Sequence, residues 1–178
     1  MLNAQFNFYI KLDLEKKMTL SIRRIVTSHT DDGKAIVGSD KLMDNIQQLR
    51  SGNFETLLWV TDETPADVNG IDPTAIPRDI EPPKMGSIFR ILELAPGKEA
   101  YMHRTDTIDY AICLTGKCEM YLDDGEKIDF NAGDVMVQRA TMHGWANPFT
   151  KPCQIAFILI GSSPPKKHWH QEAESSNR

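Results

Sequence analysis

Three side chains in the middle of the chain have the types and spacing that metal coordination or proton transfer requires. His103 and Asp109 lie in a glycine-bounded stretch, residues 96–116, and His143 lies in a second such stretch, residues 133–147. Imidazole and carboxylate groups can hold a divalent cation, and a carboxylate that orients an imidazole can support general acid–base catalysis. Two strands that pair across a barrel would bring these groups to within coordinating distance, so we expect one site.

Strand alternation indicates which neighbours share that site. Tyr101, His103 and Thr105 are expected on one face and Arg104 on the other, because successive side chains of a strand point in opposite directions. Tyr101 is therefore the better candidate for contact with a substrate. A solvent or interface role is the stronger interpretation of Arg104.

On the next predicted strand, Asp109, Ala111 and Cys113 share the cavity face if Asp109 points toward His103. Their small neighbours leave room for a ligand. The opposite face would carry an apolar row, namely Tyr110, Ile112 and Leu114. We expect the N-terminal strand or a second subunit to cover this row, and we predict a homodimer.

Short apolar runs separated by glycine-rich or polar turns predict an all-β sandwich or barrel. One such run, residues 109–114, stops at Gly116 as the strand of a hairpin would. Residues 40–50 carry a capping residue and apolar side chains on one side, and they predict a short helix.

Composition limits the classes of partner. A chain of 178 residues suits one domain, and a net charge of −5 without a basic cluster argues against nucleic acid or an anionic membrane. The three cysteines fall in apolar runs, which predicts reduced core thiols in a cytoplasmic protein rather than disulfides or a catalytic thiolate. No stretch is typical of a signal peptide or a membrane helix.

We divide the chain into an N-terminal extension (1–17), a barrel (18–163) and a polar C-terminal tail (164–178). Residues 62–84, rich in proline and acidic residues, are predicted to form a lid or binding loop. The tail spacing His168-Trp169-His170 imitates a metal-ligand pair, but it has no supporting carboxylate shell and we do not expect it to bind metal.

The two glycine-bounded stretches resemble the two motifs of the cupin superfamily, specifically of small single-domain cupins of the Cupin_2-like conserved-barrel type. Gly97, His103, Asp109 and Gly116 stand where the first motif has glycine, histidine, glutamate and glycine. The resemblance covers about residues 86–160 and implies a double-stranded β-helix (jelly-roll) barrel. Some similar cupins are associated with secondary metabolism.

The second motif ends in a histidine and an asparagine, which His143 and Asn147 reproduce. The chain departs from the family pattern at four places. Thr105 replaces the second histidine of the first motif, and Asp109 replaces the glutamate. In the second motif, the corner between Gly133 and His143 is one residue shorter, and Arg139 replaces a proline. These changes remove one of the four ligands that the family usually supplies.

The remaining set, His103, Asp109 and His143, is a two-histidine-one-carboxylate arrangement typical of non-haem Fe(II), and it also suits Mn, Zn or Ni. It would leave positions open for a chelating substrate or oxygen, and Thr105 could hold a coordinated water. In the metal-free alternative, both imidazoles bond to Asp109 in a polar interior, where an oriented histidine can still transfer protons.

The resemblance implies a divalent-metal-dependent enzyme with His103, Asp109 and His143 as catalytic residues. We favour a lyase, a decarboxylase or dehydratase, that acts on an organic acid or an aromatic, polyketide-like substrate. A dioxygenase, an isomerase and a non-catalytic ligand-binding module are the alternatives. An arginine at the barrel mouth would suit a carboxylate or phenolate. The candidates for substrate binding are Tyr101, Thr105, Gln138, Arg139, Trp145 and Arg104.

Overall fold

The computed structural model describes residues 20–76, 78 and 81–166. In chain order the strands are β1 (Arg23–His29), β2 (Ala35–Leu42), β3 (Gln47–Gln48), β4 (Phe54–Thr61), β5 (Ser87–Leu94), β6 (Thr107–Thr115), β7 (Lys117–Tyr121), β8 (Lys127–Asn131), β9 (Val135–Arg139), β10 (Gly144–Ala146) and β11 (Cys153–Gly161). Two 3₁₀ turns, Pro73–Ala75 and Asp123–Gly125, complete the regular structure of this part of the chain. The extension at residues 1–17 and the His168-Trp169-His170 spacing lie outside the described residues.

The strands form an antiparallel jelly roll. Six of them make one sheet in the order β3-β4-β5-β11-β6-β9, three make a second sheet in the order β10-β7-β8, and β1 pairs with β2 in a separate hairpin. Apolar side chains from both larger sheets meet in the main core; among them are Leu94, Ala111, Met120, Phe130, Trp145, Ile155 and Phe157. The predicted all-β double-stranded β-helix is confirmed.

Strand β6 shows the predicted alternation. Asp109, Ala111 and Cys113 are buried, whereas Tyr110 and Ile112 are 44% and 37% exposed. The carboxylate therefore points into the barrel, and the apolar row lies on the outer face.

A second apolar cluster covers part of that outer face. Leu20 and Met43 pack on Leu58, Ile91 and Ala156, so the segments flanking the β1–β2 hairpin shield one region of the six-stranded sheet. Farther along the same face, a row of apolar residues crosses four paired strands: Phe89, Ile158, Tyr110 and Val137.

The predicted helix at residues 40–50 is wrong. Strand β2 extends to Leu42, pairs with β1 and places Asp40 opposite Ile25, and the short strand β3 follows at residues 47–48. Between them, Met43 enters the outer apolar cluster. Tertiary pairing outweighs a weak helical pattern that is only eleven residues long.

The predicted hairpin at Gly116 is also wrong. Strand β6 pairs with β11 and β9, whereas β7 belongs to the other sheet, so the chain crosses between sheets at this glycine. Gly116 has a φ of +72°, and a Cβ there would lie 2.3 Å from the carbonyl oxygen of Pro152. Only glycine fits this crossing.

The three cysteines are free and buried, as predicted. Burial and the neighbouring Cys153 raise the pKa of Cys113 to about 12, so this thiol stays protonated and is a poor nucleophile. No helix in the described part of the chain is long and apolar enough to cross a membrane.

Candidate functional site

The two histidines of the predicted triad are neighbours. His103, ahead of β6, and His143, ahead of β10, form an isolated antiparallel bridge with backbone N–H···O distances of 2.8 and 2.9 Å. Their ring centroids are 4.4 Å apart, and the ring planes are tilted by 49°. The bridge fixes the backbone of both residues, so the two imidazoles meet at the place where the sequence predicted a site.

Both rings are held in the same tautomer. The Nδ1 atom of His103 lies 3.0 Å from the carbonyl oxygen of Tyr101, and that of His143 lies 3.0 Å from the carbonyl oxygen of Thr141. A carbonyl oxygen only accepts, so each neutral ring carries its proton on Nδ1 and keeps the lone pair on Nε2. Each histidine thus offers one nitrogen as a base or a ligand.

The surroundings of the two rings differ. His143 is only 3% exposed, and burial lowers its pKa to about 4, with the nearby His103 acting in the same direction. His103 is exposed. The pair therefore consists of one imidazole held neutral inside the barrel and one at its surface.

Asp109 lies deeper, on the inner face of β6, and is 4% exposed. Burial raises the pKa of its carboxyl, while Thr107 and the charges of Arg90 and His103 lower it by less. The Thr107 hydroxyl is the largest of these lowering influences, and it also shares a hydrogen bond of 2.7 Å with the Thr105 hydroxyl.

Gln138 stands directly opposite Asp109 on β9, and its Nε2 atom donates to Asp109 Oδ2 at 3.1 Å. The other oxygen of each side chain, Asp109 Oδ1 and Gln138 Oε1, is buried without a hydrogen-bond partner. Buried polar atoms rarely lack a hydrogen-bond partner. The sequence identified Gln138 as a substrate-binding candidate, and the structure places it against the carboxylate.

The residues fit a divalent metal only in part. Two Nε2 lone pairs face no backbone carbonyl, and Nδ1 bonds of this kind are typical of metal-bound histidines. However, no group of three histidine, cysteine, aspartate or glutamate side chains in the described ranges is arranged to hold a metal ion. His103, Asp109 and His143 lie in the same region of the barrel, but their side chains do not form a three-ligand metal site.

The other substrate-binding candidates divide by position. Tyr101 stacks on His103 with centroids 6.0 Å apart and is 79% exposed, which is compatible with contact to a ligand at the mouth. Thr105 is engaged with Thr107. Arg104 forms an ion pair with Asp106 at 2.8 Å.

Two candidates lie away from the site's interior. Arg139 is an exposed residue of β9 on the face opposite Gln138, so it does not point into the barrel. Trp145 is 8% exposed and packs between Phe130 and Phe157, with centroid distances of 5.4 and 5.5 Å. Trp145 is a core residue whose edge contacts His143.

The sequence reasoning missed the buried Arg90. This residue of β5 pairs with Glu55 at 3.1 Å, and its charge reaches Asp109. It lines a pocket of about 160 Å³, together with Arg78 and residues of the segment 74–76. An arginine in the middle of the apolar run SIFRILEL was the signal that could have found it.

The segment 62–84, predicted to be a lid or binding loop, contributes to this pocket and is tied to β1 and β4 through Arg24. Arg24 donates to Asp72, to Thr74 and to the carbonyl oxygen of Leu58. Within the segment, Arg78 makes a bidentate pair with Asp62 at 2.6 and 3.0 Å.

Asn147 of the second motif has a structural role. It is fully buried, its Nδ2 atom donates to the carbonyl oxygens of Leu94 and Lys151, and its Oδ1 atom accepts from the Phe149 amide. Its backbone pairs with Lys98 beside the histidine bridge. Asn147 therefore holds the loop after β10 against the loop that leads to His103.

Comparisons with known proteins agree with this architecture. Residues 90–160 match the Cupin_2 family, described as a cupin domain. The chain is 31% identical over 162 residues to the cupin-domain-containing oxidoreductase fogC of Aspergillus ruber, covering 85% of this chain and 80% of the relative. It is 41% identical over 80 residues to phomopsin biosynthesis cluster protein C' of Diaporthe leptostromiformis, covering 44% of this chain and 42% of the relative.

Among solved structures, a Cupin 2 conserved barrel domain protein from Salinispora arenicola CNS-205 aligns with a TM-score of 0.45 at 19% identity, covering 66% of this chain and 84% of the other. The family match at residues 90–160 includes both His103 and His143, which the backbone bridge joins. Together with the extended similarity to the Aspergillus ruber protein, it shows that this chain belongs to the cupin family.

Proposed function

We propose that this cupin is a small-molecule enzyme of secondary metabolism that catalyses a proton-transfer reaction of the lyase type, a dehydration or decarboxylation. The observation that carries this proposal is the pair of imidazoles whose Nδ1 atoms are occupied and whose Nε2 atoms are available, beside a buried carboxyl of raised pKa. Groups whose surroundings shift their pKa values in this way are typical of acid–base sites.

In a dehydration, the roles follow from these positions. The Nε2 lone pair of His143 takes a proton from the carbon beside a substrate carbonyl, because burial keeps this ring neutral above about pH 4. The carbon–oxygen bond then breaks, and the protonated His143 donates this proton to the departing hydroxyl, which leaves as water. Asp109 acts in its ionised form as a hydrogen-bond acceptor, and Arg90, whose charge reaches Asp109, stabilises this carboxylate.

The substrate class rests on the relatives and on the site together. One relative is named for the phomopsin biosynthesis cluster, which favours a natural-product intermediate as substrate. Tyr101, which is 79% exposed and stacks on His103, offers an aromatic ring to a flat organic acid or aromatic molecule.

An oxidoreductase is the second candidate, because the Aspergillus ruber relative carries that name. Oxidation would need an oxidant such as molecular oxygen, and a divalent metal at His103 and His143 would need a further ligand beyond the described arrangement. A dioxygenase is the alternative that the test must distinguish from a lyase.

The test is a turnover screen of aromatic acids, run with and without oxygen and with and without a chelator, alongside elemental analysis. We expect turnover that needs neither oxygen nor metal and that falls by roughly 100-fold in His143→Ala, as is typical when a general base is lost. Gln48→Leu, an exposed change on β3, is the control.

Near-stoichiometric metal that disappears in His143→Ala, together with turnover abolished by the chelator, would replace the acid–base proposal with a metal-dependent one. Turnover that requires oxygen would instead favour the oxidoreductase.

A further inference from the structure

The interior of the site has a surplus of hydrogen-bond acceptors. Asp109 Oδ1 and Gln138 Oε1 are both buried without a donor, and their side chains are 4% and 3% exposed. His143 adds a third acceptor through Nε2, since its Nδ1 proton is committed to the Thr141 carbonyl. Burying an acceptor without a hydrogen-bond partner costs free energy, because the acceptor loses its hydrogen bonds to water and gains none.

The orientation of Gln138 follows from the same chemistry. An ionised carboxylate only accepts, so the amide nitrogen must face Asp109 Oδ2, as observed at 3.1 Å. The amide oxygen is thereby turned away from its partner. The cross-strand register, with Asp109 directly opposite Gln138, keeps both unpaired oxygens on the inner face of the sheet.

No donor of the described chain reaches these two oxygens. The Thr105 and Thr107 hydroxyls share one hydrogen bond, Arg104 pairs with Asp106, and Asp109 Oδ1 and Gln138 Oε1 remain without a partner. A bound molecule can supply the donors that the chain does not.

Building on the proposed function, we infer that the substrate carries two hydroxyl groups, phenolic or enolic, of which one donates to Asp109 Oδ1 and the other to Gln138 Oε1. Neutral hydroxyls supply the missing donors without bringing a negative charge against Asp109. A substrate carboxylate at this position would repel Asp109 and would itself lack donors. Gln138 is thus a specificity-determining residue that Asp109 orients.

The test compares two probes of one ring size, resorcinol with two hydroxyl donors and 1,3-difluorobenzene with none. Binding to the full chain is followed by calorimetry and by amide NMR shifts. We expect resorcinol to bind at least about tenfold more tightly, equivalent to about 1.4 kcal/mol, with shifts concentrated on β6 and β9.

Two near-isosteric variants then identify the acceptors. Asp109→Asn converts one acceptor into a donor, and Gln138→Met removes the amide, so each should reduce the preference for resorcinol over 1,3-difluorobenzene toward unity. Gln48→Met on the exposed strand β3 should leave the preference unchanged. General damage to the fold would weaken both probes alike, and the ratio of affinities distinguishes this from a lost acceptor.

The inference is wrong if the wild-type protein binds both probes equally or neither at millimolar concentration, or if both variants keep the preference. It is also wrong if Mn²⁺ or Zn²⁺ binds through Asp109 and displaces resorcinol, since the acceptors would then serve a cation. These binding measurements need no turnover, so they can be interpreted even if the screen for lyase activity fails. If lyase activity is found but the variants keep the preference for resorcinol over 1,3-difluorobenzene, only the hydroxyl inference is refuted.

Discussion

His143 is the residue whose chemistry depends most on the fold. In the sequence it is one histidine of five, whereas in the structure it is 3% exposed, bridged to His103 and bonded to the Thr141 carbonyl. A buried imidazole avoids the charged form, so the barrel maintains a neutral base at the centre of the site.

This burial predicts a pH dependence of stability. The pKa of His143 is about 4 in the folded chain and about 6.5 when unfolded, so the unfolded state binds the extra proton first. The full contribution to stability is present above pH 6.5 and is lost as the pH falls toward 4, a loss of about 3 kcal/mol. Denaturant unfolding at several pH values should show this loss in the wild type and a smaller loss in His143→Asn.

NMR titration of the His143 imidazole is an independent measurement of its pKa. A midpoint near 6.5 for His143 would contradict the description of this ring as a buried neutral base.

At the scale of elements, Gly116 links the two sheets and Gly97 opens the loop that leads to His103. Both have positive φ, +72° and +71°, but a Cβ at Gly97 would meet nothing within 4 Å. The Gly116→Ala and Gly97→Ala variants therefore share the backbone cost and differ in the clash with Pro152. We expect Gly116→Ala to be less stable by about 2 kcal/mol in urea unfolding. Equal stabilities would mean that the two sheets separate easily at this crossing.

The segment after β4 is predicted to depend on Asp72. Burial raises the pKa of Asp72, but hydrogen bonds from Arg24 and Thr74 outweigh it and hold the pKa at about 2. The folded value lies below the unfolded value of 3.8, so this contribution is present above about pH 4 and is lost as the pH falls toward 2.

Because the Asp72 side chain is 37% exposed, solvent screening limits the effect of Asp72→Ala to about 1 kcal/mol. We expect faster hydrogen exchange at residues 74–76 in this variant. Asp67→Ala, which affects only a local contact with Asn69, is the matched control. Unchanged exchange in Asp72→Ala would show that other contacts hold the segment.

At the scale of the whole molecule, the apolar row on the outer face of the six-stranded sheet favours self-association. The row runs without interruption across β5, β11, β6 and β9, and its members Phe89, Tyr110 and Val137 are 37%, 44% and 58% exposed. A continuous apolar strip can face its own copy across a two-fold axis. We retain the homodimer as a prediction.

Light scattering on the full chain tests the dimer. We expect twice the mass of the 20.1 kDa chain, and a shift to monomer in Val137→Lys. Ile25→Lys, a change of an equally apolar and 52% exposed residue on the β1–β2 hairpin, should leave the dimer intact. A monomeric wild-type protein would overturn the prediction.

Much of the fold and part of the site were determined by local sequence pattern. Alternation in β6 placed Asp109 inside and Tyr110 outside because a strand has a period of two. The spacing of glycines and histidines identified the cupin motifs, and His103 and His143 do meet. These features depend on neighbours a few residues apart, which a sequence displays directly.

Only the tertiary structure decided how those pieces pair. Gly116 joins two sheets instead of closing a hairpin, and residues 40–50 follow strand pairing instead of a helical pattern, because partners from elsewhere in the chain supply more free energy than local preference. The same long-range pairing buried His143, set Gln138 against Asp109, and left two acceptor oxygens unpaired at the centre of the site.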